Sequence, residues 1–130
     1  MNKNEHMNHW LKNAEHDLDT AESMFASGKY DWCLFIGHLV LEKALKAIYV
    51  YKNDNKIPPK THNLLYLARK SGVKLSSEQE FFFSKVNDFN IEVRYPQYKH
   101  EFYKQCTKKF TELNFLKIKE HYQWLKSQIK

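Results

Sequence analysis

Glycine and proline are scarce in this chain, with 3 of each among 130 residues. Antiparallel sheet folds need turn residues at short intervals, which argues against a β-sandwich or barrel. Cysteine is nearly absent too. Cys33 and Cys106 are too few for a disulfide framework or a Cys-rich zinc site, and both read as reduced core residues. Arginine is limited to Arg69 and Arg94, so almost all the positive charge is lysine. No apolar run approaches the ~20 residues of a membrane span. The polar opening Met1-Asn2-Lys3-Asn4-Glu5-His6 leads into no signal-peptide core, so a cytoplasmic location is expected. A Gly-rich phosphate loop and a nucleophile elbow are both missing. His6 and His9 are three apart, but nothing nearby completes a ligand set. Neither a metal site nor a cofactor is expected.

What remains is apolar enough to fold. Hydrophobic residues make up 42% and aromatics 15%, which supports a packed core and excludes a disordered chain. The length suits one domain covering residues 1–130. The net charge of +6 is attractive to phosphate, nucleic acid or an acidic partner. A lysine excess also serves plain solubility, because lysine is a solvated point charge without the planar fork of arginine.

The hydrophobic pattern is helical nearly throughout. Met7, Leu11, Ala14, Leu18, Ala21 and Phe25 alternate steps of four and three, one stripe on a helix over about residues 5–27. Gly28 stands where a left-handed C-terminal cap belongs. A second helix over about 31–52 has Cys33, Ile36, Val40 and Ala44 on one side, Leu34, Leu41 and Leu45 on another, and Phe35, Leu39 and Tyr49 on a third. A helix apolar nearly all round is either central or covers a subunit interface. Pro58-Pro59 ends it. Thr61 can cap a short third helix that stops near Gly72, and Ser77-Glu78-Gln79-Glu80 matches a capping box for a fourth. Pro96 predicts a loop or break over about 95–101, before a last helix over about 105–128.

Several constellations could carry chemistry. His38, Glu42 and Lys46 fall at steps of four on the second helix, with Lys43 beside them. That spacing predicts a partly exposed ion-pair stripe, with a direct chemical role as the sharper alternative. Thr61-His62-Asn63 reads as a cap followed by a surface histidine. Asn87, Asn90 and Arg94 share one face of the fourth helix. Asparagine is a weak helix former, so two in a helix interior suggest hydrogen-bonding work. Arg94 and His100 flank the proline break with five residues between them. Arginine binds phosphoryl oxygens, and histidine moves protons near neutral pH. Together they suit metal-free RNA cleavage, in which the ribose 2′-hydroxyl attacks the adjacent phosphate. Arg94 and His100 are therefore the catalytic candidates. Asn87, Asn90, Tyr95, Glu42 and Lys43 are the binding candidates. Tyr95, Tyr98, Phe102 and Tyr103 form an aromatic cluster that either packs on the bundle or stacks a base.

Four segments, in order, resemble the HEPN (higher eukaryotes and prokaryotes nucleotide-binding) family. They are Ala14-Glu15-His16-Asp17-Leu18-Asp19-Thr20-Ala21, then Leu41-Glu42-Lys43-Ala44-Leu45-Lys46-Ala47, then Pro59-Lys60-Thr61-His62-Asn63-Leu64, and last Arg94-Tyr95-Pro96. The resemblance implies an all-α antiparallel bundle of about five helices, usually a homodimer. It also implies frequent pairing with a minimal nucleotidyltransferase in toxin–antitoxin-like modules. Many relatives are metal-independent endoribonucleases with an Arg-x(4–6)-His motif at a composite dimer site, a spacing that Arg94 and His100 satisfy. In those branches the residue after the arginine is usually polar. Here it is Tyr95, which assigns the chain to an Arg-Tyr-Pro branch and keeps a second reading open, a non-catalytic binding subunit for the nucleotidyltransferase. RNA or a nucleotide is the implied ligand.

Overall fold

The computed structural model describes residues 1–129, which hold six helices and no strand. They are α1 (Lys3–Ala26), α2 (Tyr30–Lys52), α3 (Leu64–Lys70), α4 (Ser77–Arg94), α5 (Pro96–Gln105) and α6 (Lys108–Ser127). The fold is the expected all-α bundle. Among the described residues, no helix is long and apolar enough to cross a membrane.

The helix ends follow from local chemistry. Gly28 has φ +75°, and the turn closes as Lys29 N–H donates to the Met24 carbonyl at 2.8 Å and Gly28 N–H to that of Phe25 at 3.1 Å. This pair of bonds satisfies two terminal carbonyls and folds α1 back along α2. Two expected caps shift by a residue or two. The box on α4 joins Ser76 to Gln79, and α3 is capped by Asn63, whose Oδ1 accepts from Leu65 and Tyr66 N–H. Thr61 instead supports the cap, its hydroxyl oxygen accepting from Asn63 N–H at 3.1 Å.

Of the loop or break expected over 95–101, the structure has the break, at Tyr95, and no loop. Pro96 opens α5 at its first position, where the missing N–H has no helical partner to lose and the fixed φ suits a helix. Only Tyr95, extended at φ −105° and ψ 121° as a residue before proline must be, separates α4 from α5. This single-residue corner holds Arg94 and Tyr95 side by side. Phe102 then returns α5 to the core, its ring 5.5 Å from that of Phe89.

α2 is central, packed against α1, α6, α4, α3 and α5. Its own chain covers the sides that carry Cys33, Leu34, Val40, Leu41, Ala44 and Leu45, while Phe35, Leu39 and Tyr49 on the third side stay half-buried and Trp32 is exposed. α6 packs tightly over Gly37, where a Cβ would stand 2.8 Å from Ile118 Cδ1. Gly37→Val adds three carbons at that contact and is expected to cost roughly 1–3 kcal/mol, read as a lower urea midpoint with unchanged slope.

Candidate functional site

α2 carries His38, Glu42 and Lys46 one turn apart, and the structure corrects the expectation of a partly exposed stripe. Their relative exposures are 0%, 4% and 8%. The stripe faces other elements rather than water. Lys46 Nζ stands 5.3 Å from the centre of the Trp10 ring of α1, and His38 reaches the segment that leads into α3.

Buried charges need partners, and these have them. Lys46 Nζ donates to Glu42 Oε2 at 3.0 Å. His62 Nδ1 lies 2.8 Å from Glu42 Oε1. His38 Nε2 lies 2.7 Å from the His62 carbonyl oxygen, and Asn90 Nδ2 approaches His38 Nδ1 at 3.5 Å. Arg94 Nη2 lies 3.2 Å from His62 Nε2.

These contacts assign the protons. A carbonyl oxygen only accepts, so His38 carries hydrogen on Nε2. Burial pushes its pKa down to about 4, outweighing Glu42, which acts in the opposite direction. His38 is therefore neutral near pH 7, its Nδ1 lone pair facing the Asn90 amide. A carboxylate likewise only accepts, so His62 carries hydrogen on Nδ1 toward Glu42. Arginine has no acceptor, so Arg94 donates to the lone pair on His62 Nε2. One carboxylate thus orients an imidazole and leaves its second nitrogen facing outward, the arrangement that prepares a histidine for proton transfer.

Arg94 and His62 open onto a cleft of about 300 Å³ whose other walls are Thr61, Asn63, Asn87, Asn90, Ile91 and Tyr95. Among the described residues, Arg94 pairs with no carboxylate of its own chain; His62 is its hydrogen-bond partner. Its positive charge remains available to an anion.

The residues singled out from sequence separate here. Arg94, Tyr95, Asn87 and Asn90 all line the cleft. Asn87 also works for the fold. Its Oδ1 accepts from Leu64 N–H at 2.9 Å and its Nδ2 donates to Asn63 Oδ1 at 3.1 Å, which ties α4 to the start of α3. Asn90 also approaches His38, its Nδ2 standing 3.5 Å from Nδ1. Glu42 lies behind the cleft as the acceptor for His62. Lys43 lies at the α1–α2 seam, where its Nζ is 2.7 Å from Asp17 Oδ2, and takes no part in the cleft. His100 is exposed on α5 and is not among the residues that line the cleft. Of the aromatic cluster, Phe102 packs inward, while Tyr95, Tyr98 and Tyr103 are exposed. Sequence reasoning missed His62 as the histidine beside Arg94.

The HEPN domain profile matches residues 7–127. The chain belongs to the HEPN domain family. HEPN domains are generally related to nucleotides and RNA. The crystal structure of TT1696 from Thermus thermophilus is similar over 98% of each chain, with a TM-score of 0.78 and 20% sequence identity. At that identity the likeness shows the HEPN fold alone. No curated protein matches the chain. In this HEPN domain, two of the segments that carried the resemblance, Thr61-His62-Asn63-Leu64 and Arg94-Tyr95-Pro96, meet across one cleft.

Proposed function

We propose that the cleft binds the phosphate of RNA or of a nucleotide, and that it serves metal-independent RNA cleavage in a toxin–antitoxin-like module. The observation that carries this reading is the Arg94 guanidinium, unpaired with any carboxylate of its chain among the described residues and bonded to a histidine that Glu42 holds from behind. In such a reaction the 2′-hydroxyl attacks phosphorus, a histidine moves the proton, and Arg94 stabilises the added charge on the phosphoryl oxygens. His62 has the geometry for proton transfer. His100 joins if a second copy of the chain brings its α5 to the cleft. Ile91, Tyr95 and Tyr98, exposed at and beside the cleft, support a homodimer, which light scattering at micromolar concentration should register as twice the chain mass.

The test is cleavage of a mixed RNA at neutral pH with chelator present. Arg94→Ala and His62→Ala are each expected to lower the rate about 10²–10⁴-fold with helicity retained. A matching loss in His100→Ala would assign that residue to the composite site. The second reading, a binding subunit partnering a minimal nucleotidyltransferase, is favoured by the position of His100 outside the cleft. RNA binding that Arg94→Ala abolishes, without cleavage by the folded wild type, would establish it in place of the nuclease.

A further inference from the structure

In the cleft, Arg94 and His62 occupy one another. His62 Nδ1 is committed to Glu42 Oε1 at 2.8 Å, so the group that Arg94 Nη2 meets at 3.2 Å is the lone pair on Nε2. An ionised phosphate oxygen is purely an acceptor. It can take the N–H of Arg94, but it cannot bond to a bare Nε2. The ring can hold that oxygen only once Nε2 carries a proton.

We infer that the cleft binds a phosphate oxyanion together with one proton, taken up on His62 Nε2 as Arg94 exchanges the imidazole for the anion. The inference rests on the reading of the cleft as a phosphate site and adds how that site is loaded. The proton comes from solvent, and no covalent bond other than N–H is made. Arg94 and the His62 ring, the two cationic donors of the cleft, then point at the same oxyanion, and the proton gained is one the ring can later pass to a leaving oxygen.

The groups around His62 allow this exchange. From α2, Glu42 holds Nδ1 and supplies the negative counter-charge, and Lys46 takes the other carboxylate oxygen at 3.0 Å. His38, also on α2, has its ring centre 6.4 Å away and spends its Nε2–H on the His62 carbonyl. It stays neutral well below pH 7 and adds no competing charge. α4 contributes Arg94 and the uncharged amides of Asn87 and Asn90, and the corner contributes Tyr95. Thr61 and Asn63, on either side of His62, carry no charge. Arg94 is thus the one cation of the cleft wall when His62 is neutral, and protonation adds a second.

Two probes that do not titrate between about pH 6 and 8 are suitable. One is the deoxydinucleotide TpT, which has a single phosphodiester and no 2′-hydroxyl; the other is inorganic sulfate. Each is titrated into the whole chain at constant ionic strength, with affinity read by NMR. Affinity should fall by up to about tenfold per pH unit toward the alkaline end. In His62→Asn, binding should be weaker and nearly independent of pH. Wild type supplies a readout that needs no variant, the imidazole nitrogen shifts of His62. These should show a ring protonated on Nδ1 alone in the free chain, becoming doubly protonated on binding. Binding by either probe with this signature supports the inference. Binding that Arg94→Ala abolishes, but with a pH-flat wild type and a ring that stays neutral, overturns the inference and leaves the phosphate site standing. If neither probe binds the folded wild type, the phosphate reading fails and the inference with it.

Discussion

Glu42→Ala is expected to destabilise the chain by about 3–5 kcal/mol, the largest loss from any single change around the cleft. The carboxylate is buried, accepting from Lys46 on one oxygen and from His62 on the other. Deleting it leaves the Lys46 ammonium buried without a counter-charge, and desolvation of that charge is then uncompensated. It also releases His62 Nδ1 and loosens the approach to α3. Glu42→Gln keeps the shape and one acceptor for His62, so it should cost less. Glu42→Leu combined with Lys46→Met removes both charges while filling similar volume, and should recover most of the loss. Urea denaturation of the four proteins measures this, provided the slope stays constant. A cost below about 1 kcal/mol for Glu42→Ala would mean that water solvates Lys46, and the buried-pair account would be wrong.

The same group shows why the bundle could be read from sequence more readily than the cleft. Helices α1, α2, α4 and α6 are periodic in local sequence, and Gly28 and Gly72 mark ends where a left-handed residue is needed. Proline at a helix boundary is ambiguous, because the same ring that ends one helix suits the first position of the next. Pro96 uses the second option, and His100, on the helix it opens, is exposed and does not line the cleft. Spacing along one chain does not report such a corner. Asn87, Asn90 and Arg94 were legible because one helix face carries all three. His62 was not, because its partners Glu42 and Arg94 lie 20 residues before it and 32 after it. One signal was available. Once α2 is apolar on every side and central, its ionisable stripe must be buried too, and buried Glu42 requires donors beyond Lys46. Lys43 shows the limit of proximity in sequence. It is adjacent to Glu42, yet it reaches across to Asp17 of α1, a residue of the opening Ala-x-x-Asp-Leu pattern, and is used in helix packing.

Acid should weaken the fold through His38 before it reaches the ordinary carboxylate range. In the unfolded chain a histidine titrates near 6.5, whereas burial lowers His38 to about 4 in the native state. Between those values the unfolded chain binds a proton that the folded chain refuses, so stability falls as pH falls. The contribution is fully present above about pH 6.5, shrinks through the interval, and is gone below about pH 4. Its size is roughly 3 kcal/mol. Forcing a charge onto His38 would put a second proton on the ring, displacing the Asn90 amide from Nδ1, while Nε2 remains on the His62 carbonyl. The strain therefore falls on the contact between α2 and α4 that forms the back of the cleft. His38→Gln removes the titration and keeps a donor able to reach that carbonyl. Unfolding free energies of both proteins at about pH 7, 5.5 and 4.5 should diverge, wild type losing up to roughly 3 kcal/mol more than the variant. Parallel curves would show that His38 protonates in the native state without penalty, and the neutral ring assigned behind the cleft would have to be given up.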